Sequence, residues 1–152
     1  MNELRIQKRM VGIDLGQARI GVAVSDELGF LAHPLETIPT TDRAAARIAE
    51  IVREKDAARV VIGLPRHMNG SVGAGAADAL AFAEKLRGAV PCEVVTWDER
   101  MTTMAANRAL RESGRKTRNT RDIVDQVAAQ IILQSYLDAA NASGSTGMPS
   151  IG

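Results

Sequence analysis

Three acidic residues lie at positions that favour a functional site: two are at predicted strand ends, and one borders the buried face of a predicted helix. Asp14 interrupts the apolar run Met10–Leu15, Glu99 follows the apolar run 92–97, and Asp125 lies on the final apolar helix. Carboxylates that converge repel each other unless a cation lies between them. Oxygen ligands without His or Cys favour hard ions such as Mg²⁺ or Mn²⁺, and two such ions support phosphodiester hydrolysis. We therefore take Asp14, Glu99 and Asp125 as candidate catalytic and metal-binding residues, with two divalent ions expected.

Each carboxylate also has a simpler structural interpretation. Asp14 could cap a turn at a strand end, and Glu99 could pair with Arg100 or another neighbouring basic residue. Asp125 could interact with the helix dipole near the helix N-terminus or pair with Arg121. Asp122 shares a helix face with Asp125, three residues away, and is a secondary acidic candidate. Its place near a helix N-terminus is one where acidic residues are favoured without any ligand.

A β-hairpin has to position Asp14. Its strands are predicted at Met10–Leu15 and Arg19–Ser25, joined by a turn at residues 16–18. Side chains alternate along a strand, so Gly12, Asp14 and Gly16 share one face. The two glycines are expected to leave open space beside the carboxylate, and a bare buried Asp is costly. The pattern therefore indicates the floor of a pocket.

The remaining elements predict an α/β protein. A strand at residues 30–38 contains Pro34 and belongs at a sheet edge. Continuous apolar runs at Arg59–Leu64 and 92–97 predict strands buried on both faces. Helices are predicted at residues 43–55, opening at Thr41 or Asp42, and at 76–87, 102–112 and 121–140. The order gives a mixed five-stranded sheet, three antiparallel strands and then two parallel, flanked by helices. Residues 1–140 are expected to form one domain, followed by a disordered tail at 141–152.

Basic residues are concentrated between positions 100 and 121. This segment holds seven basic residues and one acidic residue, a balance of +6 in a chain of net charge +1. Such a cluster suits a phosphate backbone, although a solvated charged face is the simpler alternative. No base-reading element is apparent, so recognition of shape or backbone is expected. The candidate nucleic-acid contacts are Arg19, Arg66, Asn69, Arg100, Arg115, Lys116, Arg118 and Arg121.

Composition excludes several classes of function. Aromatic residues make up 3% of the 152 residues, which argues against an aromatic base-stacking surface. A single cysteine, Cys92, excludes an internal disulfide and a cysteine metal cluster. Neither a signal peptide nor an apolar run long enough to span a membrane is visible, so a cytoplasmic protein without membrane contact is expected.

Four sequence blocks in a fixed order resemble the YqgF/RuvX family. They read GIDLGQARIGVAVSD at 12–26, GLPRHMNGS at 63–71, DERMTT at 98–103 and DQVAAQIILQSYLD at 125–138. The resemblance implies an RNase H-like fold and a metal-dependent nuclease of the bacterial cytoplasm. It places the acidic cluster on Asp14, Glu99 and Asp125. The family is described both as a Holliday-junction resolvase and as a nuclease that matures the 5′ end of pre-16S ribosomal RNA.

Two short segments depart from the family pattern. Members usually carry a Thr-Lys pair where this chain has Gln17 and Ala18. They often carry Asn-Met-Asp where this chain has His67, Met68 and Asn69. These departures remove a lysine and an acid near the site, so they affect the expected substrate contacts rather than the three carboxylates. His67 itself is either a proton-transfer group or a bystander.

The resemblance favours an endonuclease acting on precursor ribosomal RNA or on branched DNA, with the ribosome as a further expected partner. A resolvase that cuts two symmetric strands would favour a homodimer, whereas an RNA processor can be a monomer. One alternative is a non-catalytic nucleic-acid-binding or ribosome-binding module. Another is a nucleotide-binding module of the actin and sugar-kinase type, which also begins with Asp-x-Gly. That type needs two lobes, and 152 residues have room for one.

Overall fold

The computed structural model describes residues 9–65, 74–102 and 118–142. Within these ranges the chain forms five strands, three α-helices and one short 3₁₀ turn. The strands are β1 (Met10–Leu15), β2 (Arg19–Ser25), β3 (Ala32–Pro39), β4 (Arg59–Leu64) and β5 (Glu93–Asp98). The helices are α1 (Ala44–Lys55), α2 (Ala74–Arg87) and α3 (Arg118–Ala142), and the 3₁₀ turn is Glu99–Met101.

The strands form one mixed sheet in the order β3-β2-β1-β4-β5. β1 pairs antiparallel with β2 and parallel with β4, β2 pairs antiparallel with β3, and β4 pairs parallel with β5. The predicted α/β fold class and the predicted sheet are therefore confirmed. β3 lies at an edge, as its proline indicates, since Pro34 has no N–H to donate to a second neighbour.

The predicted bounds of β1, β2 and β4 agree with the structure, and those of β3 and β5 differ. β3 begins at Ala32 instead of residue 30, because the Asp26 carboxylate accepts a hydrogen bond of 2.9 Å from the Phe30 N–H. This bond holds the chain before Ala32 in a turn. The prediction that β5 is buried on both faces is wrong. It is the second edge of the sheet, and Val94 is its one buried residue.

The helices also differ from their predicted limits. α1 begins at Ala44 instead of residue 43, and no side chain caps its first turn; the Thr41 hydroxyl accepts from the Arg43 N–H instead. α2 begins two residues earlier than predicted. α3 begins three residues earlier than predicted and ends two residues later, where the Asn141 side chain donates to the Gly29 carbonyl. The rest of the predicted tail, and nearly all of the helix predicted at 102–112, lie outside the described residues.

Two apolar cores lie on opposite faces of the sheet. One packs α1 and α2 against the sheet and includes Val11, Ile13 and Ile48. The other packs α3 against the opposite face and includes Leu133 and Tyr136. Because side chains alternate, Val11 and Ile13 on the α1–α2 face place Gly12 and Asp14 on the face covered by α3. The candidate carboxylate therefore points toward α3.

Within the described part of the chain, no helix combines the length and the apolar character that crossing a membrane requires.

Candidate active site

Asp14 is the last residue but one of β1, the central strand of the sheet, and its side chain is partly buried. The prediction that the glycines beside it in sequence leave open space is wrong. A Cβ added to Gly12 would lie 2.7 Å from the Cβ of Leu133, so α3 packs directly on this glycine. A Cβ added to Gly16 would lie 2.5 Å from the Arg19 carbonyl oxygen, which fills that side within the turn.

The glycines that give the other two carboxylate residues access to Asp14 lie on the adjacent strands β2 and β4. Gly21 of β2 pairs directly with Asp14, and Gly63 of β4 follows Ile62, the partner of Ile13. A Cβ at Gly21 would lie 1.8 Å from the Asp125 carbonyl oxygen, and one at Gly63 would lie 2.8 Å from Glu99 Oε2. Glycine on both flanking strands therefore lets Asp125 approach from the β2 side and Glu99 from the β4 side.

Glu99 opens the 3₁₀ turn at the carboxyl end of β5. The Asp98 carboxylate accepts from the Arg100 N–H at 2.9 Å and pairs with the Arg100 guanidinium at 2.7 Å. Arg100 thus pairs with Asp98 and not with Glu99. The interpretation of Glu99 as a structural partner of Arg100 is therefore not supported. The Thr102 hydroxyl donates to the Glu99 carbonyl at 2.8 Å and fixes the turn. Burial, and secondarily the charge of Asp98, raise the pKa of Glu99.

Asp125 lies on α3 above β2. Its Oδ2 accepts a hydrogen bond of 2.8 Å from Nε of Arg19, the first residue of β2. One residue further on, the Gln126 amide donates to the Thr37 hydroxyl at 3.1 Å and holds this part of α3 against β3. The structure therefore places Arg19, a predicted phosphate contact, against a candidate catalytic carboxylate.

The three candidate carboxylates interact electrostatically. Burial raises the pKa of Asp14 to about 7, and the negative charges of Glu99 and then Asp125 add to the effect. Glu99 and Asp125 thus lie close enough to Asp14 to disfavour its charge, although the three residues come from β1, the end of β5 and α3. Ionised Asp14 is costly here, and a bound cation would relieve that cost.

The donor set suits a hard divalent cation, because it consists of carboxylate oxygens around an Asp whose charge is disfavoured. Its members do not converge on one point. Among residues 9–65, 74–102 and 118–142, no three Asp, Glu, His or Cys side chains lie close enough to hold a single metal ion. The oxygen ligands and their negative charge fit a divalent cation. The Asp125 carboxylate is turned toward Arg19, so the three side chains do not converge in this structure.

The other predicted contacts divide into three groups. Arg19 and Arg100 are described, and each pairs with an aspartate. Arg118, Arg121 and Asp122 lie in the first turns of α3, and only their backbone is described. Arg66, His67, Asn69, Arg115 and Lys116 lie outside the described residues.

Sequence reasoning missed the pairing of Arg19 with Asp125 and the roles of Gly21 and Gly63. A local signal existed for part of this. Arg19 and Gly21 are two residues apart on one strand and therefore share a face, and the pairing of Gly21 with Asp14 follows from the hairpin. Only the tertiary structure shows that α3 lies over this face of the sheet.

The sheet order, the helix layers and the carboxylates at the carboxyl edge define a protein of the RNase H-like fold. Solved structures show the same fold. T. thermophilus RuvC in complex with Holliday junction substrate matches with a TM-score of 0.59 and 17% identity, covering 95% of this chain and all of that chain. The Fowlpox virus resolvase in complex with substrate Holliday junction DNA matches with a TM-score of 0.50 and 12% identity, covering 86% of this chain and 97% of that chain.

Closer relatives identify the family. The model of the RuvX family, described as Holliday junction resolvase, matches residues 8–139. The "Putative pre-16S rRNA nuclease" of Nocardia farcinica is 49% identical over 143 residues, covering 88% of this chain and 79% of the relative. The protein of the same name from Bacillus cereus is 40% identical over 135 residues, covering 86% of this chain and 98% of the relative. The chain belongs to the RuvX family.

Proposed function

We propose that the protein is a metal-dependent endonuclease that hydrolyses phosphodiester bonds in structured nucleic acid, and that its substrate is the 5′ region of precursor 16S ribosomal RNA. The observation that carries this proposal is the position of Asp14. It lies at the carboxyl edge of the central strand, between Glu99 and Asp125, and its pKa is raised to about 7 by burial and by these two neighbours. A carboxyl group whose pKa is strongly raised by burial and by neighbouring negative charges is typical of a functional site.

Similarity to named relatives favours RNA over DNA as the proposed substrate. The relatives at 40–49% identity carry the name "Putative pre-16S rRNA nuclease". The neighbours bound to Holliday junctions are at most 17% identical and support the fold alone. The description of the family as Holliday junction resolvase makes branched DNA the second candidate substrate.

Asp14, Glu99 and Asp125 would hold the divalent cations, Mg²⁺ or Mn²⁺, expected as a pair. When bound, such ions supply an activated water and stabilise the leaving oxygen. Burial and neighbouring negative charges raise the pKa of Asp14 and of Glu99, so a divalent cation bound here would stabilise the ionised, ligating form of both carboxylates. The packing of Leu133 on Gly12 closes the inner side of the site, so substrate reaches Asp14 from the carboxyl edge of the sheet.

The test is a cleavage assay with Mg²⁺ or Mn²⁺ on two labelled substrates. One is a 16S ribosomal RNA precursor with its 5′ extension, and the other is a four-way DNA junction. Wild type, Asp14→Asn and Asp42→Asn are compared, since Asp42 is an exposed aspartate in the loop before α1. We expect wild type and Asp42→Asn to cleave the RNA, and Asp14→Asn to lose at least about 100-fold, because even outer partners of metal ligands cost about 10–100-fold.

Each other outcome contradicts a defined part of the proposal. Cleavage of the junction alone would replace RNA with branched DNA as the substrate. Binding of either substrate without cleavage would favour the non-catalytic nucleic-acid module. Full activity of Asp14→Asn would refute the assignment of the active site.

A further inference from the structure

The geometry points to Arg19 as a positioning residue: it fixes the orientation of the Asp125 carboxylate through a hydrogen bond to one of its oxygens, and it does not contact the substrate backbone. This inference rests on the proposed nuclease function and deepens it. It also revises the expectation from the sequence, in which Arg19 was a candidate phosphate contact.

The contact between the two side chains is direct and partly shielded. Arg19 Nε lies 2.8 Å from Asp125 Oδ2, and the side chains are 38% and 21% exposed, respectively. A charge-assisted hydrogen bond of this length is strong and directional. Within the described part of the chain, Asp125 Oδ1 accepts no hydrogen bond. Nε of Arg19 thus engages one oxygen of the Asp125 carboxylate, and this bond does not use the second oxygen.

Contacts of the surrounding chain hold the backbones of both Arg19 and Asp125 in place. The Gly16 N–H donates to the Arg19 carbonyl at 2.9 Å and closes the hairpin turn. On the other side, the Asp125 carbonyl sits so close to Gly21 that no Cβ fits there, and Gln126 is bonded to Thr37. Because neither backbone can shift easily, the hydrogen bond mainly limits the rotation of the Asp125 side chain.

Phosphate binding through Nε would require the guanidinium to exchange Asp125 for the substrate, because Nε carries a single N–H. This exchange would leave a partly buried carboxylate without its cationic partner beside two further acids, which raises the electrostatic cost of the site. Keeping Arg19 on Asp125 avoids that cost. The two roles also differ in salt dependence, because each phosphate contact adds about 0.7–0.9 to the slope of log K against log salt.

Arg19→Lys and Arg19→Gln separate these roles. Lysine keeps the charge but lacks the planar group that donates from Nε, so it can replace a phosphate contact better than a directional one. Arg53→Gln is the matched control, since Arg53 is an exposed arginine on α1, the helix layer on the opposite face of the sheet. For each variant, we would measure Mn²⁺ affinity by calorimetry, nucleic-acid affinity against salt in EDTA, and kcat and KM for cleavage.

We expect both Arg19 variants to lower kcat or Mn²⁺ affinity by about 10–100-fold, as removal of a partner of a metal ligand does. The salt slope and KM should equal those of wild type, and Arg53→Gln should be unchanged in every measurement. A salt slope that falls by about 0.7–0.9 in Arg19→Gln, with activity kept in Arg19→Lys, would instead establish a phosphate contact. Wild-type kcat and Mn²⁺ affinity in both variants would also overturn the positioning role. If wild type itself fails to cleave either substrate, the proposed function falls, and the positioning role falls with it.

Discussion

Replacing Asp14 with Asn should stabilise the fold at alkaline pH. The pKa of Asp14 rises from an ordinary value of 3.8 to about 7 in the folded chain. A pKa difference of about 3 between the folded and unfolded chains corresponds to about 4 kcal/mol, since each unit is worth about 1.4 kcal/mol. Asn has nearly the same shape and no charge, so the substitution removes this penalty.

The sign and the pH window follow from proton binding. Between about pH 4 and pH 7, folded Asp14 keeps its proton whereas unfolded Asp14 has lost it. The free energy of unfolding of the wild type therefore falls as the pH rises through this window, and the loss is complete above pH 7. Asp14→Asn should match wild type near pH 4 and exceed it by up to about 4 kcal/mol at pH 8. In a chain of this size, that gap raises Tm on the order of 10 °C.

The assay is thermal unfolding, followed by circular dichroism at pH 4, 6 and 8 with EDTA present to remove divalent cations. Asp42→Asn controls for the loss of one negative charge at an exposed position, and its difference from wild type should not grow with pH. Adding Mg²⁺ at pH 8 should narrow the gap between wild type and Asp14→Asn, because a bound cation relieves the same penalty. A gap that is absent at pH 8, or equal at pH 4 and pH 8, would refute the account of Asp14 as a costly buried carboxylate.

Two further predictions concern the approach of α3 and the basic segment. Gly21→Ala should lower the free energy of unfolding in urea by about 1–3 kcal/mol or more, because its Cβ would lie 1.8 Å from the Asp125 carbonyl oxygen. Gly88→Ala is the control, with its nearest atom at 3.7 Å, and an equal effect would contradict the close approach. Replacing Arg115, Lys116 and Arg118 with Gln should reduce the salt slope of nucleic-acid binding by about 0.7–0.9 per lost phosphate contact. An unchanged slope would place the binding surface elsewhere.

Local patterns predicted the hairpin of β1 and β2 and the interior parallel strand β4 well. β1, β2 and β4 combine apolar runs with clear turn signals, and their bounds agree with the structure residue for residue. The choice of Asp14 and Glu99 followed from two local facts, an acid within an apolar strand and an acid directly after one. Parallel strands bring their carboxyl ends to one edge of the sheet, so the two residues could be placed near each other without coordinates.

The features that were missed depend on contacts between distant parts of the chain. β5 has the same apolar run as a central strand, and its edge position is decided by which strand lies beside it. Arg19 and Asp125 are 106 residues apart, so no pattern along the chain links them. The open space expected at Gly12 is filled by Leu133, because a glycine in a strand can admit a helix as readily as a ligand.

The glycines on the strands beside Asp14 explain how Glu99 and Asp125 approach it on this face of the sheet. A side chain at Gly21 would push Asp125 away, and one at Gly63 would collide with Glu99. Each glycine thus lowers the distance between carboxylates and raises their mutual repulsion, a change that costs stability. The hydrogen bond from Arg19 compensates the charge of Asp125, whereas the pKa of Asp14 remains raised to about 7. A structure built only for stability would fill these positions with apolar side chains, so the arrangement is better explained by a site that binds cations at the carboxyl edge.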